Sequence, residues 1–286
     1  MKSQITEFEK WEKNLNEKEP VPIFKKRTDK GFRVNENLAD SIGNTLNKIK
    51  GRIDQELGES GDLDEEEYLD YRTERKLGFM KNLEIFNEAD EKNGLDVVFL
   101  VDCSGSMRGL EQKMADITAT IMLGLKKCPF VNFQTLAYSA SGYEYQGYYD
   151  LITDYTEAGR IHADEDNYHD VHHLAISEAR EMLESSDSKR LIIFMTDGHP
   201  EGRFEGMSIP KENLWSRIEK EITKSKNKGI DFFAIYYDHI GHGASDRMKK
   251  CFRESLYTTS DFSDIQTKLV EKLNQTVEKM NSGVNT

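Results

Sequence analysis

The stretch Leu95–Met107, LDVVFLVDCSGSM, constrains the fold of this chain more than any other. Val97, Val98, Phe99, Leu100 and Val101 are apolar at consecutive positions, and most are β-branched or aromatic. A strand buried on both faces of a parallel sheet has this pattern, whereas a half-exposed strand alternates. The run stops at Asp102, Ser104 and Ser106, interleaved with Cys103 and Gly105. A carboxylate and two hydroxyls at alternate positions, just past the end of a core strand, direct oxygen atoms toward one point. Hard oxygen donors of this kind suit Mg2+. Gly105 permits a sharp turn. Leu110, Met114, Ile117, Ile121 and Leu125 then mark the apolar stripe of a helix.

The strand-then-acid construction returns at Leu191–Met195, which runs into Thr196-Asp197-Gly198. Val131–Ser139 and Ile230–Tyr237 read as further strands, part of the Tyr-rich segment Tyr143–Ile152 as an edge strand, and Ser255–Thr258 as a short last one. Residues 154–170 read as a polar loop. Helices are expected around Leu174–Leu183, over 211–228 and over 261–280, the last with Phe262, Ile265, Leu269, Leu273 and Val277 as its stripe. This alternation predicts an α/β fold: a doubly wound, mostly parallel sheet flanked by helices, with ligands beyond the carboxyl ends of the strands. Upstream, Leu38, Ile42, Leu46, Ile49, Ile53 and Leu57 predict an amphipathic helix over 36–57, ended by Gly58 and Gly61. A second helix is expected over 62–75, and an extended arm over 79–86. The chain therefore divides into a polar, loosely docked lead-in (1–35), a helical extension and arm (36–94) and the main domain (95–283).

The net charge of −13 argues against nucleic acid or an anionic membrane as partner. No apolar run approaches a membrane span, and MKSQITEFEKWEK has no apolar signal core. Three cysteines, Cys103, Cys128 and Cys251, are too few and odd in number for a disulfide framework and read as reduced thiols. A cytoplasmic location is the expectation. There is no G-x-x-x-x-G-K-[ST], so the chain is not expected to hydrolyse ATP.

Asp102, Ser104 and Ser106 after a hydrophobic strand, followed by Met107 and matched by Asp197 downstream, resemble the metal-ion-dependent adhesion site (MIDAS) of a von Willebrand factor A (VWA) domain. The resemblance implies Mg2+ (or Mn2+), with Ser104 and Ser106 coordinating directly and Asp102 and Asp197 holding metal-bound waters. The third contributor in such domains is a Thr before a helix. Here Asp170 stands at the head of DVHHLAISEA, so Asp170 is the expected fifth residue, ahead of Thr156 and Asn167. An extra carboxylate would retain the cation while weakening its pull on an incoming carboxylate.

Over residues 36–280 the chain further resembles the CobT-type subunit of aerobic cobaltochelatase. Gly61-Asp62-Leu63-Asp64, Cys103–Gly109 (CSGSMRG), Asn167–Leu174 and Ile240-Gly241-His242 are similar to that family's G-x-L-D, N-S-G-S-M-R-G, N-I-D-G-E-A-L and I-G-H stretches. The family's long acidic middle is missing, so the chain reads as a compact relative. The resemblance implies a non-catalytic partner subunit of an AAA+ ATPase ring of the CobS or MoxR kind, the ring supplying an acidic ligand to the metal. The helices between 36 and 75 are expected to add docking affinity. Two other readings stay open: a stand-alone metal-dependent adhesion module, and a Mg2+-dependent hydrolase, for which no separate base or nucleophile emerges.

The seven histidines, His162, His169, His172, His173, His199, His239 and His242, fall in loops or at a helix start and read as solvated. His169 and His173, four apart, have the alternative of sharing a zinc. Cys103 is expected to pack beneath its loop.

Overall fold

The computed structural model describes residues 22–60, 94–140, 146–163, 171–198, 200–201, 203–204, 207–238 and 244–279. The expected helix at 62–75, the arm at 79–86, Asn167, Asp170, His169, His199, His239 and His242 lie outside the described residues.

In chain order the strands are β1 (Ile23–Phe24), β2 (Leu95–Asp102), β3 (Val131–Ala140), β4 (Gly147–Ile152), β5 (Lys189–Thr196), β6 (Arg203–Phe204), β7 (Met207–Ser208), β8 (Ile230–Tyr237) and β9 (Leu256–Thr259). Seven of them form one sheet in the order β1-β4-β3-β2-β5-β8-β9, while β6 and β7 make a separate antiparallel pair. Within the seven-stranded sheet only β3 and β4 run antiparallel. The helices are α1 (Glu36–Ser60), α2 (Glu111–Leu125), α3 (His172–Glu184), α4 (Lys211–Asn227), α5 (Asp246–Phe252) and α6 (Phe262–Lys279).

The consecutive apolar run of β2 is explained by two cores. Side chains alternate across a sheet, so Val97, Phe99 and Val101 enter one core with Ile42 and Leu46 of α1, Met114 and Ile121 of α2, and Leu269 and Leu273 of α6. Val98 and Leu100 enter the other with Ala175 of α3, Ile218 of α4 and Phe252 of α5. Parallel strands crossing over through helices on both faces leave the carboxyl ends of β2, β5 and β8 together at one pole.

The N-terminal region departs from expectation. Residues 22–35 are not a loose lead-in. Ile23 and Phe24 pair with Tyr148 and Tyr149, so β1 is the outer strand and the Tyr-rich β4 is interior. A two-residue strand carries no periodicity, which is why only its pairing reveals it. Helix α1 runs through Gly58 to Ser60; one helical glycine costs about 1 kcal/mol relative to alanine, not enough to break a packed helix. Ile42, Leu46 and Ile49 of its stripe are packed inside, at most 5% exposed. Those three residues therefore face the core of this chain and are covered. The crossing with α2 is glycine-lined: a Cβ on Gly43 would lie 2.8 Å from the Gly124 carbonyl oxygen, and one on Gly124 would lie 2.7 Å from that of Ala39.

Residues 154–170 contain more structure than a polar loop, since Tyr155–Arg160 form a 3-10 turn begun by Asp154, whose carboxylate accepts the Thr156 N–H. No described helix is long and apolar enough to cross a membrane.

Candidate functional site

Asp102 is the last residue of β2, and Asp197 follows the last residue of β5, the strand hydrogen-bonded beside it. Ser104 precedes a 3-10 turn, Gly105–Met107, that leads into α2. The fold thus brings together Asp102, Ser104, Ser106 and Asp197, four of the five expected residues. The Ser106 hydroxyl donates to Asp197 Oδ1 at 2.6 Å. Its single hydrogen is then committed, so the Ser104 hydroxyl, 3.0 Å away, donates to Ser106 Oγ. Asp102 accepts the Ser104 N–H at Oδ1 (2.9 Å) and the Thr196 hydroxyl at Oδ2 (2.6 Å). Ser104, Asp102 and Asp197 are buried, while Ser106 is exposed, so the cluster opens to solvent at Ser106.

Thr196 is a contributor that sequence reasoning missed. It fixes the Asp102 carboxylate and accepts the Gly198 N–H at 3.1 Å, shaping the turn that carries Asp197. Its position directly before the acid in TDG was the available hint. Asp238 also went unnoticed. It is the first residue beyond β8 and is buried, and together with Asp197 it adds to the effect of burial in raising the Tyr236 hydroxyl's pKa.

Thr156 is at the wrong end. It bonds to Asp154, which pairs with Lys126, the residue after α2. Ser104 precedes that helix, whose 15 residues span about 22 Å. Thr156 therefore drops out as a donor.

The described histidines are not solvated. His162, His172 and His173 are all buried. His172 Nδ1 lies 3.0 Å from the Tyr138 hydroxyl, and its ring packs edge-on against Tyr138 and Phe194. Desolvation, with Arg217 and His172 adding to it, pushes His173 well below the usual imidazole range, leaving it neutral. An amphipathic ring that finds one polar partner is acceptable core material, and the start of α3 sits on the sheet. Cys103 packs under the loop as expected, and burial pushes its thiol up to about 12, which makes it inert.

The donor set can be tested against a divalent cation by its chemistry. Two hydroxyls and two carboxylates are all hard oxygen donors, as Mg2+ or Mn2+ requires. Among the described residues no group of three or more His, Cys, Asp or Glu is placed to hold a metal; an ion held at this cluster would draw on the serine hydroxyls as well as the carboxylates.

The family model for the von Willebrand factor type A domain matches residues 96–272. The chain belongs to the VWA family. Its match spans the sheet from β2 to β9 and most of α6. Among solved structures this VWA chain is similar to the vWF domain of the type V pili tip protein Mfa5 from Porphyromonas gingivalis. The two share 13% identity with a TM-score of 0.50, over 68% of this chain and 98% of that one. A manganese-loaded TRAP protein of Plasmodium vivax aligns at 15% identity and a TM-score of 0.42, over 62% of this chain and 72% of that one. No curated protein matches the chain.

Proposed function

We propose that this VWA protein is a metal-dependent protein-binding subunit, with a MIDAS-type site at Asp102, Ser104, Ser106 and Asp197 for Mg2+ or Mn2+. The observation that carries the reading is the continuous chain Ser104–Ser106–Asp197, anchored by Asp102 and open to solvent at Ser106. Ser104 and Ser106 would hold the ion directly, Asp102 and Asp197 through water, and Asp170 is the further candidate carried from the sequence. When bound, the ion supplies an electrophilic position for a carboxylate oxygen of the partner. The protein's own contribution is positioning. Thr196 and the Ser104 N–H keep Asp102 oriented, and burial of Ser104 fixes its hydroxyl. With both serine hydroxyls engaged within the cluster, the reading is one of binding rather than hydrolysis.

The partner we assign is an AAA+ ATPase ring that offers an acidic side chain, making this a CobT-like non-catalytic subunit. Support comes from the CSGSMRG stretch, which occupies the site itself, and from the absence of a phosphate-binding P-loop in the sequence. Ile42, Leu46 and Ile49 of α1 are buried, so any docking affinity from the 36–75 region rests on its other residues.

Calorimetric titration with Mg2+ and Mn2+ tests the site. Binding by the wild type that disappears in a Ser104→Ala/Ser106→Ala double variant is expected, and no binding by the wild type ends the assignment. Affinity capture from the native cell, with Mg2+ against EDTA, tests the partner. An AAA+ ATPase retained only with Mg2+ is expected, whereas a cell-surface ligand would favour the adhesion reading.

A further inference from the structure

The segment 22–35 is tied down along its length by contacts that the proposed metal site does not use. Lys25 N–H donates to the Tyr149 carbonyl, Lys30 N–H to that of Gly159, Arg33 N–H to Asp116 Oδ1 and Asn35 N–H to Thr120 Oγ1. Arg27 is the member of this strap that reaches toward the site. Its backbone N–H donates to Asp150 Oδ2 at 2.7 Å, while Asp150 Oδ1 faces Arg160 Nη1 at 3.5 Å. That carboxylate is thereby answered by Arg160 and by a backbone N–H. The Arg27 guanidinium goes elsewhere, to the Ala137 carbonyl (3.1 Å) and the Ser139 hydroxyl (2.9 Å) near the end of β3.

Those two residues flank Tyr138, whose carbonyl accepts the Cys103 N–H at 2.8 Å. Cys103 lies between Asp102 and Ser104. The last residues of β3 are therefore gripped from one side by Arg27 and hold the oxygen-bearing loop on the other.

We propose that Arg27 is a positioning residue for the Asp102–Ser106 loop, so that docking of the strap and cation binding at Ser104 and Ser106 are coupled. The proposal rests on the metal reading above. A planar guanidinium with several fixed donors can bridge a carbonyl and a hydroxyl at once, which lysine cannot do with the same geometry. Coupling of this kind is reciprocal. A strap that orders the loop favours the ion, and the ion must then favour the docked strap.

The test uses the full chain and Mn2+ as probe. Mn2+ affinity is measured for wild type and Arg27→Met, and hydrogen exchange of the Lys25, Arg27 and Lys30 amides is followed with and without Mn2+. The expected results are a Kd weakened about fivefold or more in Arg27→Met, and strap exchange slowed by Mn2+ in wild type but not in Ser104→Ala. An unchanged or tighter Kd in a folded Arg27→Met overturns the proposal; the tighter value would mean that charge repulsion, not positioning, is what Arg27 supplies. Strap exchange indifferent to Mn2+ in the wild type overturns it equally. If Arg27→Met does not fold, Ser139→Ala removes one of the two acceptors, and a weakened Kd is again expected and an unchanged one contrary. Wild type that binds no Mn2+ removes the metal reading itself, a result distinct from binding that ignores Arg27.

Discussion

Ser106 donates its hydroxyl to Asp197 across the junction between two adjacent strands, joining residues 91 positions apart at 2.6 Å. The bond ties the turn after β2 to the turn after β5. A cation could bind Ser106 without breaking it, because the oxygen keeps a lone pair while its O–H donates to Asp197. Two carboxylates and two hydroxyls gathered at this pole favour an added positive charge.

Metal should accordingly stabilise the folded chain. Mg2+ at about 100 times its Kd adds about 2.7 kcal/mol by mass action. Thermal melts with Mg2+ and with EDTA should differ for wild type, and the difference should vanish for Asp197→Ala.

Thr196 is a test of the support beneath the site. Thr196→Val keeps the strand shape but leaves Asp102 Oδ2 and the Gly198 N–H without the hydroxyl that serves both. A loss of about 1–3 kcal/mol is expected from the unmade bonds. Urea unfolding should show it, and Thr196→Ser should recover most of it.

The crossing of α1 and α2 makes a contrast between two glycines of one helix. Gly43→Leu forces side-chain atoms against the Gly124 carbonyl and should cost about 1–3 kcal/mol. Gly51→Ala meets nothing within 4 Å and should gain up to about 1 kcal/mol through helix propensity. Opposite shifts in Tm would show that α1 is docked where the structure puts it, and matching shifts would contradict that placement.

Asp154 predicts the acid limb of stability. The Thr156 N–H, followed by Lys126 and the Thr156 hydroxyl, pulls its carboxyl from 3.8 down to about 2. A folded-state value below the unfolded one stabilises fully above the unfolded value and is lost as pH falls through the folded one. Asp154→Asn should therefore lower the urea midpoint at pH 6. The gap from wild type should narrow between pH 3.8 and about 2. The carboxylate is partly exposed, so the effect is small and best read at low salt.

Much of this protein was written locally. The doubly wound sheet is legible because β2, β5 and β8 are apolar at successive positions, a pattern that only two covered faces can accept. Asp102, Ser104, Ser106 and Asp197 were legible because each lies within a few residues of a strand end that the same pattern marks. Contacts between distant segments left no such trace. Nothing in Ile23-Phe24 says that they pair with Tyr148-Tyr149, because two residues have no period. The stripe of α1 announced a buried face but not its cover, and only the packed structure shows Ile42, Leu46 and Ile49 closed against the core beside the glycine crossing with α2. His162, His172 and His173 read as polar, yet they are buried, because a side chain's solvation depends on what the rest of the chain packs over it. Thr196 and Arg27 acquire their roles from partners 94 and 110 residues away. Hydrogen bonds of that reach are set when the sheet assembles, since a hydroxyl or guanidinium acts on whatever acceptor the fold delivers to it.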